Sequence, residues 1–374
     1  MTIILRPAEY VLPGHPDKLC DAIADALVEE AARRERRALA AIEVAAHRGR
    51  VYVTGRLACE GAEKIDVAGL ARGVYRSAGY DADWYPAPEQ LEVVNDLCLE
   101  PLLPGEADAR AITDDQGFVH GYANAQTGTN HLPTEHWLAW RLAGRLGALR
   151  EERPDLRLGP DGKVLVILAE NTEGPSALET FSCSLQQAAG GDDIALVRAV
   201  RDVLTEELLV AAHVVPGFTA DLPTRIEVNG AGAFSLGGPE GDNGLAGKKL
   251  VVDAYGPRVP IGGGALSGKD LFTADRAGAL LARRIAKAVV LTGIASEARA
   301  TLAWAPGDAE LQLVALEADG GRHLDVEAWG ALFDRRLEAL GEAWTGAADF
   351  VACARRGHFT QAELVPWESM RVGA

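Results

Sequence analysis

The chain has 374 residues, 48% hydrophobic and 24% charged, values of an ordinary globular protein of two or three domains and not of a disordered one. A net charge of -17 disfavours nucleic acid as a partner, and no apolar run approaches the roughly 18 residues of a membrane span. The five cysteines are odd in number and scattered, and no secretory pattern opens the chain, so a reducing cytoplasm is expected rather than a disulfide framework.

In chain order, Gly14-His15-Pro16-Asp17-Lys18 is a turn that runs into an amphipathic helix from Leu19 to about Glu30. Arg50 to Gly55 reads as a strand that ends at glycine, and another strand is expected around Leu91 to Val94. The stretch from Leu99 to Ala111 carries Pro101, Pro104, Gly105, Glu106, Asp108 and Arg110, and is expected to be a mobile lid. Thr134 to Arg150 is predicted helical, with Leu138, Leu142, Leu146 and Leu149 on one face. Lys163 to Leu168 is a predicted buried strand and Ile194 to Leu209 a helix. Strands at Ile226–Val228 and Lys249–Asp253 are expected to flank a glycine-rich loop, and Asp275 to Leu291 is a predicted helix. The alternation lacks a continuous Rossmann rhythm, which points to mixed α/β layers in several domains.

Four short blocks carry the chemistry. Gly263 to Lys269 satisfies the first seven positions of a P-loop, but Asp270 stands where Ser or Thr would bind magnesium, which disfavours a P-loop NTPase. Such a loop still brings backbone N–H groups to phosphate oxygens, and Lys269 adds a point charge; the bland alternative is a plain turn. Gly237 to Gly244 is a second glycine-rich loop, leading to Lys248 and Lys249. His15, at a helix N-terminus, is placed to hydrogen-bond an anion there, although a lone histidine is more often structural. Asp17, Asp21 and Asp25 share a helix face, the usual mark of a wet surface; Asp17 in the first turn could instead ligate Mg²⁺. Asp114-Asp115-Gln116-Gly117 suits a metal, a ribose or a polar turn. No zinc-protease, serine-elbow or cysteine–histidine pattern is present.

Taken together, these blocks resemble the methionine adenosyltransferase (S-adenosylmethionine synthetase) family nearly end to end. The resemblance runs through Gly14 to Lys18, Glu43 before a strand, Asp115 to Ala123, Gly237 to Gly256, Gly262 to Asp270 with Asp275-Arg276, and Gly357-His358-Phe359 with Pro366-Trp367-Glu368. It implies an α/β (α+β) fold of three similar domains with mixed sheets and pseudo-threefold symmetry. The expected boundaries are 1–100, a mobile active-site loop at 101–112, 113–230 and 231–374. A homodimer or homotetramer with active sites between subunits is implied, with ATP and a small nucleophile as its partners. The thioether of methionine would attack C5′ of ATP and expel tripolyphosphate, later cut to pyrophosphate and phosphate. By position, His15, Lys163, Lys248, Lys249 and Lys269 hold the polyphosphate, Asp17 and Asp275 serve Mg²⁺, and Glu43 serves K⁺. Phe234 contacts adenine with Asp115 and Asp242 nearby, and Ser267 of the Gly263–Lys269 loop belongs to the nucleotide site.

The amino-acid end departs from the family pattern. Arg56 stands where a glutamate binds the methionine ammonium, Thr273 where a lysine holds its carboxylate, and Glu100 where a loop glutamine covers it. Lys248 and Ala233 replace arginines, and Ile261 replaces a histidine. Either Arg56 takes the carboxylate and Glu100 the ammonium, with Asp242 and Thr273 completing the substrate site, or the nucleophile is not methionine. S-adenosylmethionine formation is therefore the first reading and C5′ transfer to another nucleophile the second. A catalytically silent nucleotide-binding subunit is the third.

Overall fold

The structure, a computed structural model, describes residues 3–171, 174–360 and 365–370. Helix Pro16–Arg34 begins earlier than the apolar stripe suggested. His15 caps it in an extended conformation, Pro16 occupies the first turn with Asp17, and Arg33 and Arg34 close the last. That order suits the helix dipole, and proline at the first position forfeits no intrahelical bond. Thr134–Glu152 buries Leu138, Leu142, Leu146 and Leu149 as expected. Asp193–Val214 is capped by the Asp192 side chain, which accepts the Ala195 N–H. Ala274–Leu291 follows the Gly263–Lys269 loop.

Twelve strands form three four-stranded sheets among the described residues. They are β1 (Ile4–Val11), β2 (Leu39–His47), β3 (Arg50–Ala58), β4 (Glu92–Glu100), β5 (Gly117–Asn124) and β6 (Leu158–Asn171). The rest are β7 (Gly174–Gln187), β8 (Arg225–Val228), β9 (Gly244–Leu245), β10 (Glu297–Trp304), β11 (Gln312–Ala318) and β12 (Arg322–His323). The sheets run β1-β6-β7-β8, β9-β2-β3-β4 and β5-β10-β11-β12. In the first two, an edge strand and a hairpin pair antiparallel, then a helical crossover (Asp193–Val214, or Val67–Ala78) delivers a last, parallel strand. A parallel neighbour needs such a crossover. The third sheet is antiparallel throughout. The mixed α/β architecture with three similar units is therefore the observed one, and each unit has its own apolar core.

The units are interlaced. Strand β1 joins a sheet of later strands, β5 pairs with β10, and β9 pairs with β2. One expected strand is absent: Leu250–Asp253 is a helical turn instead. Its Leu-Val-Val run favours a strand, but Asp253 is drawn into a buried ion pair with Lys18, and tertiary context overrides weak local preference. In the sheet β9-β2-β3-β4, one face packs against helix Pro16–Arg34 and the other is open within the chain. That open face carries Glu43, Tyr52, Thr54, Arg56 and Val94. No helix is long and apolar enough to cross a membrane among the described residues.

Candidate active site

Asp17, Asp21 and Asp25 are buried, not wet. Each accepts a backbone N–H from a glycine-rich loop: Asp17 from Leu245 at 3.0 Å, Asp21 from Gly247 at 2.7 Å and Asp25 from Gly268 at 3.0 Å. A spacing of four stacks side chains along one helix face, so one helix anchors both loops. Their charges are matched inside: Lys18 donates to Asp21 at 3.1 Å and to Asp253, and Arg276 grips Asp25 at 2.7 and 2.8 Å. Gly268 has φ +84, and a Cβ there would lie 2.3 Å from the Ile42 carbonyl oxygen, so only glycine lets the loop lie on β2. Asp270, which breaks the P-loop pattern, accepts the Ala40 and Phe272 N–H groups at 2.8 Å each and pairs with Arg110. It fastens the loop to the sheet and the preceding segment to the loop.

A first cluster surrounds a cavity of about 390 Å³ lined by His15, Asp161, Lys163, Phe234, Asp242 and the Gly237–Gly238 turn. His15 Nδ1 accepts the Asp17 N–H at 3.2 Å, which leaves Nε2 as the donor in the neutral ring. Burial pushes its pKa down to about 4, with Lys249 and Lys163 acting the same way against Asp17 and Asp242. His15 is therefore a neutral hydrogen-bond donor at pH 7. Lys249 donates to Asp17 at 2.8 Å and Lys248 lies 3.7 Å from the same carboxylate. Burial raises the Asp17 pKa, but the hydrogen bonds from Lys249 and Leu245 outweigh it and hold the carboxyl below its usual range. Lys163 projects from β6 and pairs with Glu9 at 2.5 Å. Asp161 was missed from the sequence, where one acid beside a lysine carries no signal. Its carboxylate accepts the Gly238 N–H at 2.7 Å and so shapes the cavity wall.

A second cluster lies along the Lys269 loop and the open sheet face. Lys269 pairs with Asp275, while its backbone bridges Ala41 of β2. Glu43 and Arg56 occupy the open face of β2 and β3. Arg56 donates to Glu100 at 2.8 Å and forks onto Glu106. The expected lid contains a helical turn, Glu106–Ala109, tied down by the Arg56–Glu106 and Arg110–Asp270 pairs. Glu106 and Arg110 were visible only as charges in a loop. Thr273 caps helix Ala274–Leu291 without a side-chain hydrogen bond to it. Asp115 is exposed in a turn and accepts the N–H of Gln116 at 2.8 Å. The Ser267 hydroxyl is buried without a partner among the described residues. None of the second cluster's residues lines the first cluster's cavity.

No group of three or more metal-binding side chains converges among the described residues. Asp17 and Asp275 instead stand singly against lysines. That suits Mg²⁺, which keeps its waters and binds through one or two carboxylates plus substrate phosphates.

Sequence models of the S-adenosylmethionine synthetase N-terminal, central and C-terminal domains match residues 4–98, 110–234 and 236–369. The S-adenosylmethionine synthase of Prochlorococcus marinus (strain MIT 9313) is 32% identical over 396 residues, covering 97% of this chain and 93% of the relative. That of Thermosynechococcus vestitus is 34% identical over 402 residues, covering 98% and 95%.

Proposed function

The chain belongs to the S-adenosylmethionine synthetase family, and from that premise we propose that it forms S-adenosylmethionine from ATP and methionine. The methionine sulfur attacks C5′ of ATP. The new S–C bond forms as the C5′–O bond breaks, and the electron pair leaves on tripolyphosphate. The leaving group gains charge in the transition state, so preorganised donors aimed at its oxygens lower the barrier. The first cluster supports this reading: His15 offers a neutral N–H and Lys163 lines the same cavity, while Lys248 and Lys249 stand at Asp17 next to His15. Phe234 offers a face for adenine, with Asp242 beside it. Lys269 supplies a further cation from the second cluster, and water then cleaves the tripolyphosphate to pyrophosphate and phosphate.

Each lysine of the Lys249–Asp17 and Lys269–Asp275 pairs turns to phosphate on substrate binding, which frees its carboxylate for Mg²⁺. Bound Mg²⁺ supplies neutralisation of polyphosphate charge. Glu43 is the candidate ligand for K⁺ on the open face. Because the two clusters do not share a cavity in one chain, a complete site requires two. Apposition of open sheet faces in a homodimer brings the first cluster of one protomer to the second cluster of its partner.

Mass-spectrometric analysis of reactions containing ATP, Mg²⁺ and K⁺, with and without methionine, tests this function. The expected outcome is methionine-dependent S-adenosylmethionine. Bound ATP with no such product would reject methionine and turn the search to nucleophiles that complement Arg56.

A further inference from the structure

The wall of the first cluster's cavity is held from behind by Tyr80, a side chain that does not line it. Tyr80 is 1% exposed and stands just beyond helix Val67–Ala78. The Gly79 N–H donates to Arg76 O at 2.9 Å and the Tyr80 N–H to Tyr75 O at 3.0 Å, the paired closure that fixes a chain as it leaves a helix. The Tyr80 ring lies tilted on that of Tyr75, with centroids 5.2 Å apart. Backbone and ring are thus both held, which sets the direction of the hydroxyl. Burial raises the phenol well above its ordinary pKa range, with Asp161 adding to the effect, so the group stays an O–H donor.

That hydroxyl meets two turns of the cavity. It donates to the Gly14 carbonyl at 2.7 Å. Gly14 is buried, and its carbonyl has no other donor among the described residues. Gly14 also lies against the Pro160 carbonyl, where a Cβ would collide. The Tyr80 oxygen abuts Gly238 as well, where a Cβ would strike it. The turns differ in their other ties. Gly238 has a separate anchor, its N–H to Asp161 at 2.7 Å, whereas the Gly14 carbonyl depends on Tyr80. That carbonyl belongs to the planar peptide that carries the His15 nitrogen, so the hydrogen bond holds the plane from which the imidazole springs.

We propose that Tyr80 is a positioning residue for polyphosphate: through the Gly14–His15 peptide it fixes the direction of the His15 Nε2–H, without touching the ligand. The assignment rests on the function proposed above, in which this cavity holds the polyphosphate of ATP. Peptide planarity carries the constraint from the hydroxyl to the His15 backbone, and the Asp17 N–H on Nδ1 carries it to the ring. A donor aimed in advance needs no reorganisation when charge develops on the leaving group. Removing the hydroxyl leaves a buried carbonyl unpaired, and a peptide that rotates to find another donor turns the imidazole with it.

Calorimetric binding of tripolyphosphate with Mg²⁺ tests this, with S-adenosylmethionine formation from ATP and methionine measured alongside. Tyr80→Phe keeps the ring, removes the donor and should weaken tripolyphosphate about fivefold or more. Tyr75→Phe is the control: it removes an equally buried hydroxyl that has no partner among the described residues, and should change affinity by no more than about twofold. His15→Asn keeps a capping acceptor for the Asp17 N–H and loses the Nε2–H. In that background Tyr80→Phe should have no more than about a twofold effect, because nothing is left to position. Tyr80→p-aminophenylalanine keeps a weaker donor; it should fall between, and it carries the same cycle where Tyr80→Phe does not fold. Equal losses in both backgrounds mark a merely structural tyrosine and overturn the assignment, as does full affinity in Tyr80→Phe. Tyr80-dependent binding without S-adenosylmethionine formation keeps the assignment and removes the proposed reaction; product formation with binding indifferent to Tyr80 does the reverse. An unaltered protein that does not bind tripolyphosphate removes the assignment, and one that also makes no product removes the reaction too.

Discussion

Asp161 sits at the first cluster with a carboxyl pKa raised to about 6. Burial is the main cause; the Gly238 and Gly162 N–H groups oppose it, while Asp242 and Asp17 add to it. The folded chain thus keeps this proton up to about pH 6, whereas the unfolded chain loses it near the usual 3.8. The stabilisation from holding the proton is present below the unfolded value and is lost as pH rises through about 6. Asp161→Asn, which keeps an acceptor for Gly238, should gain about 1–3 kcal/mol over the natural chain at pH 8 and close to nothing at pH 3. Denaturant unfolding at the two pH values checks it; an equal effect at both would mean the carboxyl is not destabilised by burial. At this scale the sequence exposed the lysines and His15, because cations beside glycines form a local pattern. It hid Asp161 and Glu106, whose importance comes from neighbours distant in the chain.

At the scale of the element, helix Pro16–Arg34 organises the site. The spacing of Asp17, Asp21 and Asp25 was legible as one face, but not the direction that face points. An acidic stripe ordinarily faces water, since burying a charge without a partner is costly. Here Lys18 of the same helix, and Lys249 and Arg276 with loop N–H groups from other parts of the chain, supply the partners. Asp25→Asn should leave Arg276 buried without its counter-charge and cost about 3–5 kcal/mol. Denaturant unfolding measures that loss, and Asp21→Asn offers a comparison in which burial already disfavours the charge. A cost for Asp25→Asn within about 0.5 kcal/mol of zero, the range of ordinary surface substitutions, would deny the helix its anchoring role. Leu250–Asp253 is the converse case: its apolar run was legible, and a contact with Lys18 decided its shape.

For the whole molecule, the open face of β9-β2-β3-β4 is the decisive surface. Tyr52 and Val94 are exposed there beside Glu43 and Arg56. In the homodimer proposed above, apposition of these faces would bury the apolar residues and complete each site from two chains. Tyr52→Glu should shift the protein toward monomer in sedimentation velocity and abolish S-adenosylmethionine formation together. A monomer that retains activity would place the complete site in one chain.

The sequence by itself determined the mixed α/β class, the principal helices and the glycine–lysine blocks proposed to meet phosphate, because apolar period and such blocks are properties of neighbouring residues. Tertiary structure alone decided the interlacing of β1, β5 and β9 into sheets built from other parts of the chain. It also decided that the acidic stripe faces inward and that Arg56 is met by two carboxylates. Strand partners and ion pairs are chosen by packing across long stretches of chain, where the energy of a contact depends on what else is buried beside it.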